Sequence, residues 1–242
     1  MPSLAKRQRE PELMDDPRLE SRQHQTALQG LARINWFSGS SRILWPSLRD
    51  LARQRAPQPV RVLDLATGAG DLPRRLWRKA QRAGLKLEID GADVSQQAVE
   101  FATQCSRAEQ VDVRFFRLDV LTAELPDHYD VVMSSLFLHH LEEEQAARLL
   151  QRMTTAARTM ILINDLRRSQ GHYLLALVAT RLLSRSPVVH VDGPRSVAAA
   201  FTLAEVRRLT DRAGIGPVQL SRHWPYRFLL KWQRPDSTGT TR

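Results

Sequence analysis

Val62-Leu63-Asp64-Leu65-Ala66-Thr67-Gly68-Ala69-Gly70-Asp71 decides how this chain reads. A short apolar run, of the kind found in a strand buried on both faces, leads straight into Gly-x-Gly, and a helical pattern begins near Leu72. Glycine permits positive φ and lets a ligand approach the backbone closely. In an open α/β sheet, ligands bind beyond the carboxyl ends of the strands, which is where this turn falls. Two nucleotide-binding alternatives fail on the neighbouring residues. A dinucleotide fingerprint needs a third glycine at position 73, where Pro73 stands, and no Gly-Lys-Ser/Thr ending follows for an ATP or GTP loop.

Working outward, strand-like segments at 60–65, 85–92, 111–118, 129–134 and 160–163 alternate with helical patterns at 72–83, 95–106 and 142–157. This alternation predicts a parallel sheet with helices on both faces. Upstream, residues 1–20 are polar and proline-punctuated and read as a flexible tail. Residues 21–55 read as two helices, with Leu28, Leu31, Ile34, Leu44, Leu48 and Leu51 among their apolar positions, broken at Ser38-Gly39-Ser40-Ser41. Pro57 and Pro59 mark a boundary, and 56–232 reads as one domain. Near its end, 171–184 is apolar on most sides, 186–195 reads as a loop, and 202–213 is a helix with Thr202 and Glu205 as a capping box. A hairpin across Trp224-Pro225 follows, and 233–242 reads as a flexible C-terminal tail.

The chain has 242 residues, which suits one α/β domain with an appendage, and 42% of them are hydrophobic, enough for a sizeable core. A net charge of +10 raises nucleic acid, a membrane surface or an acidic substrate as partners. The arginines are nevertheless spread along the chain. The densest run, Arg74, Arg75, Arg78, Lys79 and Arg82, has the spacing of a solvated helix face. Cys105 is the single cysteine, which excludes an intramolecular disulfide and a zinc site built on several cysteines, and fits a reducing cytoplasm. The first residues lack the apolar stretch of a secretory signal. The apolar run 173–183 is too short to span a bilayer and is interrupted by Arg181.

An acidic residue, Asp93, closes the second strand in Ile89-Asp90-Gly91-Ala92-Asp93-Val94-Ser95, where a carboxylate can accept both hydroxyls of a ribose. Together with the glycine loop, this resembles motif I and the following acidic motif of class I S-adenosylmethionine (SAM)-dependent methyltransferases. The flavour is that of the branch that methylates ubiquinone and menaquinone precursors, and of small-molecule methyltransferases related to it. Asp119-Val120 and Ser134-Ser135-Leu136-Phe137-Leu138-His139-His140-Leu141 follow in register, so the resemblance covers about residues 56–165. It implies a doubly wound, mostly parallel, seven-stranded Rossmann-like α/β sheet with an N-terminal helical cap, and SAM as cofactor. It also implies a cofactor site. The loop residues Ala66, Thr67, Gly68 and Gly70 would face the amino-acid part of SAM, with Asp64 near its ammonium. Asp93 and Val94 would lie at the ribose, Asp119 and Val120 at the adenine, and Ser135 near the point of methyl transfer.

Such an enzyme performs an in-line displacement at an activated methyl group, so the protein mainly supplies alignment and water exclusion. A phenol or enol acceptor benefits from a base with a pKa near neutrality, for which histidine is suited. His139 and His140 lie just beyond the fourth strand and are the catalytic candidates, although His-His-Leu also reads as the mere start of a helix. Asp165 and His190 are rival bases. No spacing such as H-E-x-x-H occurs, so no metal site is expected. Trp36, Phe37 and the 173–183 segment are candidates for a lid over an apolar pocket. That segment reads equally as an ordinary buried helix, and docking on a membrane surface is a third option.

The C-terminal signature of the quinone branch is missing. The leading expectation is therefore O-methylation of a small aromatic, polyketide or quinone-like acceptor in secondary metabolism, with C-methylation open. A nucleic-acid methyltransferase is disfavoured, because Ser134-Ser135-Leu136-Phe137 stands where an Asn/Asp-Pro-Pro-Tyr-like motif belongs. A non-catalytic SAM-binding module has no need to retain Asp93 and Asp119.

Overall fold

The computed structural model describes residues 4–13, 39–184 and 186–235. Five parallel strands, β1 (Val60–Leu65), β2 (Leu87–Asp93), β3 (Val113–Arg117), β4 (Val131–Ser135) and β5 (Met160–Leu166), form one sheet with the antiparallel β6 (Gln219–His223) and β7 (Arg227–Gln233). The strand order is β3-β2-β1-β4-β5-β7-β6, so the chain winds outward from β1 in both directions. The expected doubly wound, mostly parallel, seven-stranded sheet is the fold of this protein.

Among the described residues seven α-helices accompany it: α1 (Ser40–Arg55), α2 (Asp71–Arg82), α3 (Gln96–Ala108), α4 (Glu143–Ala156), α5 (Gln170–Leu183), α6 (Pro187–Ala199) and α7 (Leu203–Ala213). The strands explain the layering. Leu63, Leu65, Val132, Ile161, Ile163, Phe228 and Leu230 point to one face and pack with α4 and α7. Val60, Val62, Val131, Met133, Met160, Leu162 and Leu229 point to the other and pack with α1, α2 and α3. In β4, β5, β7 and most of β1 both halves of the alternation are buried, which is why these strands read as apolar runs rather than as alternating ones. The capping box at Thr202 and Glu205 closes the start of α7 as expected.

Several expectations change. The first of the two N-terminal helices, with Trp36 and Phe37, lies outside the described residues, whereas the second is α1, started by Gly39. The stretch expected as a loose tail includes residues 4–13, which lie against the domain. Leu4 is buried, the Gln8 amide donates to the Ala198 carbonyl (3.1 Å), and the Arg7 guanidinium sits 3.8 Å over the Phe201 ring. The segment expected as a loop at 186–195 is helical within α6. Pro187 occupies the first turn, where its missing N–H costs nothing, and Val188, Val189 and Val197 are buried. Gly193 and Pro194, which suggested a loop, are overridden by packing. A side chain at 193 would meet Thr180 of α5 at 2.4 Å, so glycine there lets the two helices approach. At the other end, β7 includes Gln233, and Arg234 binds back to the Ala157 carbonyl; residues 236–242 lie outside the described set.

Candidate functional site

The carboxyl ends of the parallel strands open into one cavity of about 740 Å³. Its first half lies over β1, β2 and β3. The turn after β1 places Ala66 (φ 53°) and Gly68 (φ 55°) in left-handed conformations. A Cβ at Gly68 would meet nothing within 4 Å, so the loop backbone here faces open cavity. Gly70 behaves differently. It does not line the cavity, and a Cβ there would strike Phe115 at 2.5 Å and Ala102 at 2.9 Å, so this glycine seats α2 against β3 and α3. Arg74 steadies the same loop, its Nη1 donating to the Ala69 carbonyl (2.6 Å) while Nε pairs with Glu109 (3.0 Å). It is 7% exposed, so the basic run at 74–82 is not wholly a solvated face.

Three aspartates converge here. Asp64 is buried. Its Oδ2 accepts from Thr67 Oγ1 (2.7 Å), and Oδ1 has no hydrogen-bond partner. Burial pushes its carboxyl up to about 7, against the Thr67 bond, and Asp71 and Asp93 add to the rise. Asp93, at the end of β2, accepts from the Gly68 amide (2.8 Å) and the Ser95 amide (2.9 Å). It thereby ties the glycine loop to the next turn, and each oxygen keeps a lone pair for a ligand hydroxyl. Asp119 accepts from the Leu121 amide (2.9 Å) and the Thr122 hydroxyl (2.8 Å), which hold its pKa below the usual carboxylate range. Val94 and Val120 line the cavity beside them.

The second half lies over β4, β5 and β7 and is roofed by α5 and α6. Leu175, Ala179, Leu183 and Val197 give it an apolar wall. Ser135 lines it and accepts from Asn164 Nδ2 (2.8 Å). His139 and His140 form a short 3₁₀ turn after β4. His139 is 4% exposed, and its Nδ1 meets Asp165 Oδ1 at 2.6 Å while its amide donates to Oδ2 (3.1 Å). Burial alone would lower the His139 pKa, but the Asp165 charge and hydrogen bond outweigh it and raise it. Asp165 is in turn held below the usual carboxylate range, because His139 and two amides overcome its burial. His140 is pushed down to about 3 by burial and by the neighbouring His139. The two rivals named with His139 therefore separate. Asp165 is its partner in a buried pair, whereas His190 lies off this cavity, its Nε2 against the Ser184 carbonyl (2.8 Å).

Sequence reasoning missed three residues that face this half: Glu12, His172 and Arg227. Arg227 is 2% exposed, donates to Ser40 Oγ (3.2 Å) and is lowered to about 10 by burial, against the pull of Asp165. A cation just before the apolar run Phe228-Leu229-Leu230 was its one trace in the sequence. Glu12 brings Oε1 to 3.9 Å from His139 Nε2 and 4.0 Å from His140 Nε2. These three side chains are the one metal-ligand-like group among the described residues. The two Glu12 separations exceed the roughly 3.4 Å between ligands of a tetrahedral zinc site with bonds near 2.1 Å.

Residues 62–159 match the family described as the methyltransferase domain. That match spans about two fifths of the chain and marks a methyltransferase domain there. The curated relatives include demethylmenaquinone methyltransferases of Thermus thermophilus and Deinococcus radiodurans. The first is 40% identical over 78 residues, 32% of this chain and 33% of that protein. The second is 32% identical over 114 residues, 46% of each. The matched stretches thus span less than half the length of these relatives. The chain also shares its fold with magnesium protoporphyrin IX methyltransferase of Synechocystis PCC 6803, solved with bound S-adenosylhomocysteine. Their TM-score is 0.55 over 90% of each chain, at 17% identity.

Proposed function

We propose that this protein transfers the methyl group of SAM to an oxygen of a small, mainly apolar acceptor of aromatic, polyketide or quinone-like type. The observation that carries this reading is the single cavity, which joins the glycine-loop edge to an apolar half containing the buried His139–Asp165 pair. The residues fit the cofactor. Asp64 Oδ1 is an orphaned buried acceptor suited to an ammonium, and the open backbone at Gly68 suits close approach. Ala66 and Thr67 would complete that end, Asp93 and Val94 the ribose end and Asp119 and Val120 the adenine end. When bound, SAM supplies a methyl group already activated on a sulfonium.

The chain's own residues align the acceptor, exclude water and take its proton. Asp165 is a positioning residue. Accepting at Nδ1 fixes the tautomer of His139 and leaves Nε2 toward the cavity. His139 then receives the proton of the acceptor hydroxyl at Nε2. His140, lowered to about 3, is the weaker base of the two candidates. The names of the curated relatives favour a quinone-type acceptor over nucleic acid.

A bilayer surface is the partner that the outer side of α5 fits. No described helix is long and apolar enough to cross a membrane. Yet Leu174, Val178 and Leu182, on one stripe, are 42%, 56% and 78% exposed, and Trp224 is 81% exposed at the cavity rim. An exposed apolar stripe on a surface helix calls for an apolar partner.

The test is incubation with SAM and a panel of phenols, enols and hydroxyquinones, with mass-spectrometric detection of a 14-dalton gain (one CH₂, about 14 Da) and NMR location of the new methyl group. O-methyl products support the reading. Methylation of RNA or DNA in parallel incubations, with none of the small acceptors modified, would overturn it.

A further inference from the structure

The proton-accepting histidine has a second carboxylate neighbour, and it arrives from the far end of the sequence. Residues 4–13 run over α6 and the 3₁₀ turn as a strap. Arg7 Nη2 donates to the His139 carbonyl (2.6 Å), and Arg9 Nη1 donates to the His140 carbonyl (2.7 Å) while its guanidinium pairs with Glu142 (2.7 Å). Arg168 Nε donates to the Leu4 carbonyl (3.0 Å), and Arg195 pairs with Glu10 (3.0 Å). The Leu13 amide donates to Asp192 Oδ1 (2.8 Å). Between these anchors Glu12 turns inward. Its side chain is 12% exposed, lines the cavity and accepts from the Ser196 hydroxyl.

We propose that Glu12 is a further residue of the acceptor site, carried there by the N-terminal strap to hold the imidazolium that forms when His139 takes the acceptor's proton. The geometry gives His139 a carboxylate on each side: Asp165 at 2.6 Å from Nδ1 and Glu12 at 3.9 Å from Nε2. The second gap is wider than a hydrogen bond, so Glu12 acts on Nε2 through space and an acceptor oxygen would approach Nε2 from beside it. This rests on the O-methylation read above. In that reaction the acceptor O–H bond breaks as N–H forms at Nε2. The new O–CH₃ bond forms as the S–CH₃ bond breaks, with that electron pair remaining on sulfur. Positive charge therefore passes from the sulfonium to the imidazolium, into a pocket flanked by two carboxylates. Burial would otherwise penalise that charge.

The charged and titratable groups facing His139 come from every packed element. They are Asp165 of β5, Glu12 and Arg7 of the strap, His140 beside it and His172 of α5. Arg227 of β7 acts on Asp165. Of these, Glu12 and Asp165 favour the imidazolium and Arg7 opposes it, whereas His140 and His172, lowered to about 3 and about 4, are neutral where His139 titrates. Removing the Glu12 charge should therefore be visible at His139 alone, without any acceptor.

The test is an NMR titration of the His139 imidazole in the full chain with bound S-adenosylhomocysteine, for wild type, Glu12→Gln and Glu12→Asp. The expected result is a midpoint lower by about one unit, tenfold in proton affinity, in Glu12→Gln, with Glu12→Asp retaining most of the wild-type value. S-adenosylhomocysteine affinity should stay within about twofold in both, because Glu12 lies over the acceptor half. Unchanged titration in Glu12→Gln would overturn the proposal. So would equal lowering in both variants, which would mean that strap docking rather than charge is responsible. Stoichiometric Zn²⁺ binding by wild type that Glu12→Gln abolishes would make Glu12 a metal ligand and would also overturn it. Failure to methylate any small acceptor would sink the parent reading while leaving this titration intact, so the two failures are distinguishable.

Discussion

Asp64 and His139 are shifted in the same direction for opposite reasons, and the two shifts have different consequences. Asp64 rises to about 7 because burial disfavours its charge and one oxygen has no partner. The folded state then holds the proton more tightly than the unfolded chain, whose carboxyl titrates near 3.9. The contribution of Asp64 to the stability of the ligand-free protein is therefore greatest below about pH 4 and falls as pH rises toward 7, by up to about 4 kcal/mol. Asp64→Asn is expected to raise the melting temperature at pH 8 while weakening S-adenosylhomocysteine binding, measured by calorimetry on one sample; a lower melting temperature would contradict the assignment. His139 is raised because Asp165 outweighs its burial. It contributes stability that is fully present below about 6.5 and lost as pH rises through the folded value. As the proposed base it must first lose that proton, so activity should climb with pH through a midpoint above 6.5. His139→Gln is expected to lose about 10²–10⁴ in kcat with cofactor affinity kept. Asp165→Asn should move the acid limb to lower pH. A His140→Gln variant that lost more than His139→Gln would reverse the roles. The sequence placed both histidines at this edge but could not rank them, because the ranking depends on Asp165, 26 positions away.

At the scale of elements, the glycine loop shows what local sequence can and cannot tell. Gly68 and Gly70 look alike in the Gly-x-Gly pattern, and both adopt positive φ (55° and 67°). The space around them differs: open cavity at Gly68, the Phe115 ring at Gly70. Both alanine variants should pay roughly 1–2 kcal/mol for the left-handed backbone. Gly70→Ala should lose more stability because Phe115 and Ala102 must move, whereas Gly68→Ala should chiefly lose S-adenosylhomocysteine affinity. Chemical denaturation paired with ligand titration separates the two, and equal behaviour would contradict the placement. The strands and α2, α3, α4 and α7 were legible because their apolar patterns are local. Helix α6 was not, since Gly193 and Pro194 are tolerated there only through contact with α5 and the core. Helix α5 was ambiguous because its sequence is apolar on most sides while its structure buries only one side, at His172, Ala176 and Thr180. If its outer stripe meets a bilayer, Leu182→Asp with Trp224→Ala should reduce co-sedimentation with anionic phospholipid vesicles at least about fivefold, the loss of roughly 1 kcal/mol or more of apolar insertion. Unchanged sedimentation, or a shift in oligomeric state instead, would remove the membrane from the account.

Across the whole molecule, the proposed cofactor half and the proposed acceptor half were not equally readable. The cofactor half is built by β1, β2 and β3 and their turns, which are consecutive in the chain, so Asp64, Gly68, Asp93 and Asp119 lie in one readable register. The acceptor half is assembled from the N-terminal strap, the turn after β4, α5, α6 and the start of β7. Glu12 and Arg227 meet there from opposite ends of the sequence, and no spacing rule connects them. The charge of +10 likewise resolves into particular work: Arg7 and Arg9 fasten the strap, Arg74 the glycine loop, Arg168 the start of α7 through Glu205 (2.6 Å) and Arg227 the acceptor wall. The central claim is that the glycine-loop edge holds SAM through Asp93, and its most direct test is isothermal titration of S-adenosylhomocysteine into wild type and Asp93→Ala. The expected result is micromolar binding to wild type, weakened by at least about 1 kcal/mol in the variant through loss of charge-assisted hydrogen bonds. Absence of binding to folded wild type, or equal affinity in both, would contradict it.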